Sequence, residues 1–161
     1  MATRGVFGPY SAEFPSTNFP QLLTINTTDR RPVLAFDTTT SEKCYWTTVA
    51  PQGLTGAQTM VVTCVMASAT SGTLAMRVAV EALTPLDAVA VATTSSFDTA
   101  NSSANTTVPG TLIEFALSIT LTNADSMAAA DSVRFSLDRD VATDSAAGDA
   151  YVISAEWRDS A

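Results

Sequence analysis

The carboxylates near the carboxyl end are the groups in this chain that could most readily do chemistry: Asp138, Asp140, Asp144 and Asp149. Hard cations such as calcium bind carboxylate oxygens, but this spacing lacks the alternate ligands and central glycine of an EF-hand. We therefore interpret the stretch as a solvated acidic loop, with a weak cation site as the alternative. Arg139 lies among these residues, and we expect Arg139 and Asp149 to fix the loop.

Catalytic groups are otherwise scarce. The chain has no histidine, which removes the commonest general base and the commonest zinc ligand. It has no Gly-x-Ser-x-Gly elbow to present a nucleophile and no glycine-rich loop of the phosphate-binding type. We therefore expect a protein that is not an enzyme and that carries no cofactor and no metal.

Three aromatic residues, Tyr45, Trp46 and Trp157, could serve as platforms on which sugar rings stack. Both tryptophans lie in runs that alternate apolar and polar residues, so a core or interface position is the prediction for them. A carbohydrate-binding module that uses Trp46, Trp157 or Tyr45 remains an alternative reading of the chain.

Composition indicates the fold class and the kinds of partner. The 161 residues fit one domain, and charged residues make up only 15% of them against 46% apolar residues. Threonine and serine, which suit a pleated surface or turns, supply much of the remainder, so we predict an all-β fold. The net charge is −8 and Arg30-Arg31 is the only basic pair, which argues against nucleic acid and against an anionic membrane as partners.

The two cysteines, Cys44 and Cys64, lie in separate strand-like runs. We predict buried, reduced thiols, with a bridge between neighbouring strands as the alternative. The first residues lack the apolar region of a signal peptide, and no apolar run approaches the ~18 residues of a membrane span. We expect a soluble protein made in a cytoplasm.

The strand pattern is clearest near the end of the chain. Val133, Phe135 and Leu137 alternate with polar residues, and a second alternating run covers residues 150–158. Alternation with period two is typical of half-buried antiparallel strands, and the acidic loop joins the two runs. We predict a closing two-stranded unit here, and about eight strands over residues 21–161 with the spacings typical of an antiparallel β-sandwich or a jelly roll.

Two further surfaces follow from the apolar residues. Residues 1–20 are punctuated by glycine and proline, and we predict an extended N-terminal arm that lies across another surface, with folding back onto its own domain as the alternative. The aromatic residues of the arm are Phe7, Tyr10, Phe14 and Phe19. Residues 59–66 are apolar on both faces, which favours either a central strand covered on each side or a seam between subunits. The seam candidates are Met60, Val62, Met66 and Val152.

Several short motifs resemble those of a known family. They are the run Arg31–Asp37 followed by Glu42, the Ser68–Gly72 loop with the strand that ends at Pro85, and the closing runs 135–140 and 148–157. Together they resemble small structural proteins of tailed-phage virions. The resemblance implies a jelly-roll sandwich, usually trimeric, that acts as a capsid decoration (cement) protein or as a tail or fibre component.

The resemblance also implies partners. A decoration protein binds the major capsid protein on the exterior of the phage head, and threefold positions of a capsid select homotrimers. On this reading Phe7, Tyr10, Phe14 and Phe19 contact the capsid, and the seam candidates join the subunits. A tail, collar or fibre component that recognises a host surface is the alternative within the same family.

Overall fold

The computed structural model describes residues 1–26, 28–86, 95–105 and 107–159 of the chain. These described residues form ten β-strands in two sheets, with one turn of 3-10 helix at Pro9–Ser11 and no α-helix, so the predicted all-β sandwich is confirmed. The strands are β1 (Ala2–Phe7), β2 (Gln21–Ile25), β3 (Arg31–Phe36), β4 (Lys43–Val49), β5 (Gln58–Met66), β6 (Leu74–Leu83), β7 (Asn101–Asn105), β8 (Phe115–Thr120), β9 (Ser132–Arg139) and β10 (Ala150–Asp159).

The strand pairing is nested. Strand β3 pairs with β10, β4 with β9, β5 with β8 and β6 with β7, all antiparallel. Successive pairs alternate between the two sheets, so the chain is a long antiparallel ribbon folded over on itself. This is the arrangement of a jelly roll, with β1 and β2 as additions.

The first sheet has the order β2-β3-β10-β5-β8, with β1 beside the second half of β10, and the second sheet has the order β4-β9-β6-β7. The apolar faces of the two sheets meet in a single core, where aromatic rings from one sheet contact rings from the other. The rings of Phe135 on β9 and Trp157 on β10 have centroids 5.2 Å apart. The second sheet's other face, which is turned away from the core, we call its outer face.

The prediction of a closing two-stranded unit is wrong. Strand β9 is an inner strand of the second sheet and β10 an inner strand of the first, because the acidic loop crosses from one sheet to the other. The alternation in β10 is also interrupted by a bulge between Val152 and Ser154. Because the extra residue shifts the pleat by one position, Val152, Ala155 and Trp157 all face the core.

The predicted intersubunit seam is also wrong. Met60, Val62, Met66 and Val152 are all buried in the core. Strand β5 lies between β10 and β8 in the first sheet. The side of β5 that carries Met60, Val62 and Met66 faces the core between the two sheets. The sequence left the orientation of β5 open because the strand is apolar on both sides. The structure shows the alternative in which these residues are covered within their own domain.

Residues 2–7 are part of the sandwich rather than a separate arm. Strand β1 pairs with β10 from Ala2 to Phe7, and the Phe7 ring is buried, 5.7 Å from the ring centroids of Trp46 and Phe135. Phe7 therefore belongs to the core and offers no surface to a capsid. The alternative in which the N-terminal residues fold back onto their own domain is the one that the structure shows for β1.

Cys44 and Cys64 are both buried and both free, one in each sheet. Burial raises the pKa of Cys44 far above its ordinary value and that of Cys64 to about 12. Both thiols therefore stay protonated at neutral pH and behave as small apolar side chains, as predicted.

Candidate functional site

The segment that follows β1 runs along the free edge of β4. Glu13 and Tyr45 exchange two backbone hydrogen bonds of 2.8 and 2.9 Å, and the Lys43 amide donates to the Asn18 carbonyl at 2.9 Å. The indole Nε1 of Trp46 donates to the Gly8 carbonyl at 3.2 Å. These bonds satisfy backbone groups on the free edge of β4 and hold the backbone of residues 8–18 in a defined path.

Three of the predicted arm aromatics project from this segment into solvent. Tyr10, Phe14 and Phe19 are 74%, 40% and 43% exposed, and the rings of Phe14 and Phe19 lie 5.6 Å apart. We call these three residues the aromatic surface. Exposed aromatic side chains are common in interaction sites, because each ring buries a large apolar area on contact.

A second feature lies on the outer face of the second sheet. The register places Tyr45, Ser136 and Ala79 side by side across β4, β9 and β6. Because serine and alanine are small, the middle of this row is a hollow of about 250 Å³. We call it the outer-face pocket.

Phe97 forms one wall of the pocket. Its segment crosses the sheet after β6, where the Asp98 amide donates to the Val80 carbonyl at 2.8 Å and the Ser96 amide donates to Glu81 Oε1 at 2.6 Å. These bonds bring the Phe97 ring to 5.7 Å from the Tyr45 ring, with 22° between the planes. The two stacked rings both line the pocket, and together we call them its wall.

Arg134 lies between the pocket wall and the segment that follows β1. Its guanidinium carbon lies 4.1 Å from the centroid of the Tyr45 ring, a cation–π contact, and 5.9 Å from that of Phe97. Its Nε atom lies 3.4 Å from a carboxylate oxygen of Glu13. The Tyr45 backbone is thus held by its bonds to Glu13, and its ring packs against this cation.

Charged groups close the opposite end of the pocket. Lys43, Asp138 and Arg77 form the next row across the same three strands. The Arg77 Nε donates to Asp138 Oδ2 at 2.9 Å, and Arg77 Nη1 lies 3.5 Å from Asp140 Oδ1. Burial raises the pKa of Asp138, and the hydrogen bond and charge of Arg77 offset part of that effect.

The acidic loop is organised by Arg139. This side chain is fully buried and forms a bidentate ion pair with Asp144, and it also donates to the carbonyls of Ala146 and Gly148 at 2.8 Å each. Asp149 contributes its carbonyl, which accepts from the Ala67 amide at 2.9 Å. No three acidic, cysteine or histidine residues in the described part of the chain are grouped so as to hold a metal ion.

The two tryptophans are not sugar platforms. Trp46 and Trp157 are buried in the core, and Trp157 Nε1 donates to the Gln58 side chain at 2.8 Å. Tyr45 alone of the three predicted platforms faces outward. The sequence analysis missed Phe97. A single aromatic residue among the serines and threonines after β6 could have marked it as a candidate binding residue.

Comparison with known proteins adds no assignment: the chain matches no protein-family model, and a search of curated proteins finds none similar to it. Within the described residues there is also no helix long and apolar enough to cross a membrane.

Proposed function

We propose that this chain is a structural virion protein, a capsid decoration protein that binds the major capsid protein on the outside of a phage head as a homotrimer. The observation that carries the proposal is the aromatic surface: Tyr10, Phe14 and Phe19 are exposed on a segment whose backbone is hydrogen-bonded to β4. Rings held in this way bind without a large ordering cost.

The fold and the charge support the same role. A jelly roll is a common architecture of viral shell proteins, because the closed ribbon leaves few exposed strand edges. The net charge of −8 keeps such a protein soluble at the high local concentration of an assembly site. Attachment at many symmetry-related positions also allows each contact to be modest.

Deletion of residues 1–20 does not test the attachment surface cleanly. It would remove β1 and the buried Phe7 ring together with the aromatic surface, and the sandwich itself would lose stability. Point substitutions on the exposed rings are the sharper experiment.

The test is a triple variant, Tyr10→Ser, Phe14→Ser and Phe19→Ser, added to purified heads that lack the protein. Loss of one aromatic anchor from an interface costs about 2 kcal/mol, so the triple variant should bind at least about 100-fold more weakly than the unchanged protein. The control is Leu112→Ser with Ile113→Ser, which alters two half-exposed apolar residues in the loop before β8. Equal binding of the triple variant and the unchanged protein would refute the attachment surface.

Two further measurements test the rest of the proposal. Sedimentation equilibrium at micromolar concentration should give the mass of three chains, and a monomer would refute the homotrimer. Cryo-electron microscopy of native particles should place the protein on the head. Density on the tail or collar instead would replace the head assignment with the tail alternative.

A further inference from the structure

We propose that the outer-face pocket binds a single uncharged sugar ring, such as the terminal residue of a surface glycan. This function is separate from capsid attachment, because the pocket residues lie on the sheet face and the aromatic surface lies on the segment along its edge. The inference rests on the shape of the pocket, on its chemistry and on its rigidity.

The shape fits one ring. The floor is made by the small side chains of Ala79 and Ser136, and the volume of about 250 Å³ lies just below the range of roughly 300–1,000 Å³ for drug-sized ligands. The two wall rings are 5.7 Å apart and nearly parallel. A third ring inserted between them would need about twice the ~3.5 Å contact distance, so a ligand contacts the two rings from the pocket side and does not enter between them.

The pocket has an apolar aromatic end and a polar charged end, and a sugar ring likewise has an apolar face and polar hydroxyls. A pyranose has an apolar C–H face, which suits the wall of Tyr45 and Phe97, and a rim of hydroxyls that both donate and accept. The opposite end of the pocket supplies Lys43 and Arg77 as donors and Asp138 as an acceptor. Asp138 Oδ1 accepts no hydrogen bond from any described residue, whereas Oδ2 is engaged by Arg77.

The charges favour an uncharged ligand. Two cations, Lys43 and Arg77, and two carboxylates, Asp98 and Asp138, line the pocket. They balance, so an anionic group such as a phosphate or a uronic acid gains no net attraction. Asp98 is also occupied locally, since its carboxylate accepts from the amides of Thr99 and Asp125 at 2.6 and 3.3 Å.

The walls exist before any ligand arrives. The Asp98 amide bond to the Val80 carbonyl and the Ser96 amide bond to the Glu81 carboxylate fix the segment that carries Phe97, and the Arg134 guanidinium packs on the Tyr45 ring. Little side-chain entropy is therefore lost on binding, which is what a weak single-ring site requires.

The test is titration of the whole protein with the methyl glycosides of glucose, galactose, mannose and N-acetylglucosamine, followed by saturation-transfer NMR. We expect at least one to bind, with contacts from one ring face. Phe97→Ser should weaken that binding at least tenfold, and Ala79→Leu, which fills the floor, should abolish it. The control is Ala104→Leu, an exposed outer-face position on the edge strand β7, which should leave it unchanged.

Each outcome decides the proposal. Failure of all four glycosides to bind, or binding that survives both Phe97→Ser and Ala79→Leu, refutes the site. Tighter binding of methyl glucuronide or sialic acid than of the neutral sugars refutes the uncharged class. Thermal unfolding of each variant confirms that it is folded, and capsid binding by Ala79→Leu should remain at the unchanged level, which separates this site from the proposed attachment surface.

Discussion

Arg139 and Asp144 form a bidentate ion pair closed off from solvent. The Nε–Oδ2 and Nη2–Oδ1 distances are both 2.9 Å, and the side chains are 0% and 3% exposed. The same guanidinium holds three backbone carbonyls, those of Phe36, Ala146 and Gly148. One buried cation therefore joins the end of β3 to the loop that carries the chain from β9 to β10.

Arg139→Met should destabilise the protein by about 3–5 kcal/mol, because it leaves a buried carboxylate without its partner. The control is Arg31→Met, which breaks an ion pair with Glu114 that is about half exposed on both sides, and which should change the free energy of unfolding by no more than ~1 kcal/mol. Urea denaturation at neutral pH measures both. Similar values for the two variants would contradict a structural role for the buried pair.

Phe7→Ala should lower the free energy of unfolding by about 3–5 kcal/mol, because the Phe7 ring packs in the core against Trp46 and Phe135. The neighbouring Val6 is exposed, and Val6→Ala should change stability by less than about 0.5 kcal/mol. Chemical denaturation of the two variants compares adjacent positions of one strand. If the two substitutions have equal effects, β1 is not held in the sheet.

Gly72→Ala should be more destabilising than Gly53→Ala. Both glycines have positive φ, +98° and +75°, and an alanine there costs about 1–2 kcal/mol of backbone strain. At Gly72 an added Cβ would also lie 2.9 Å from Ala146 Cα, whereas nothing lies within 4 Å at Gly53. Overpacking adds about 1–3 kcal/mol, so the difference between the melting temperatures of the two variants isolates the close approach.

Asp37 should make stability depend on acid pH. Hydrogen bonds from the Thr39 hydroxyl and from the Thr39 and Thr40 amides lower its pKa from 3.8 to about 2. The unfolded chain therefore takes up a proton at higher pH than the folded chain does. The stability that Asp37 contributes is complete above about pH 4 and is lost as the pH falls toward 2.

The comparison variant is Asp37→Asn, which keeps an oxygen acceptor but does not titrate. Urea unfolding at pH 5 and at pH 3 should show that the unchanged protein loses more stability than the variant over this interval. The effect should be modest because the carboxylate is solvent-accessible and screened. An identical loss in both proteins would show that other carboxylates account for the acid sensitivity.

Alternation of apolar and polar residues made part of the fold predictable from the sequence. The core-facing side of β9 was predicted because apolar and polar residues alternate there, as at Val133, Phe135 and Leu137. The orientation of β5 could not be predicted in this way. Met60 and Val61 are both apolar, and only the position of the second sheet decides that Met60 faces the core.

The site shows the same division. The sequence by itself determined an all-β chain of alternating strands, thiols that behave as core residues and an arginine that fixes the acidic loop, because these depend on residue type and on period-two patterns. Only the tertiary structure decided that β9 and β10 lie in different sheets, that Phe7 enters the core and that Tyr45 meets Phe97 over Ser136 and Ala79. Those relationships join residues far apart in the chain, and they depend on strand register and on the packing of one sheet against the other, which no local pattern encodes.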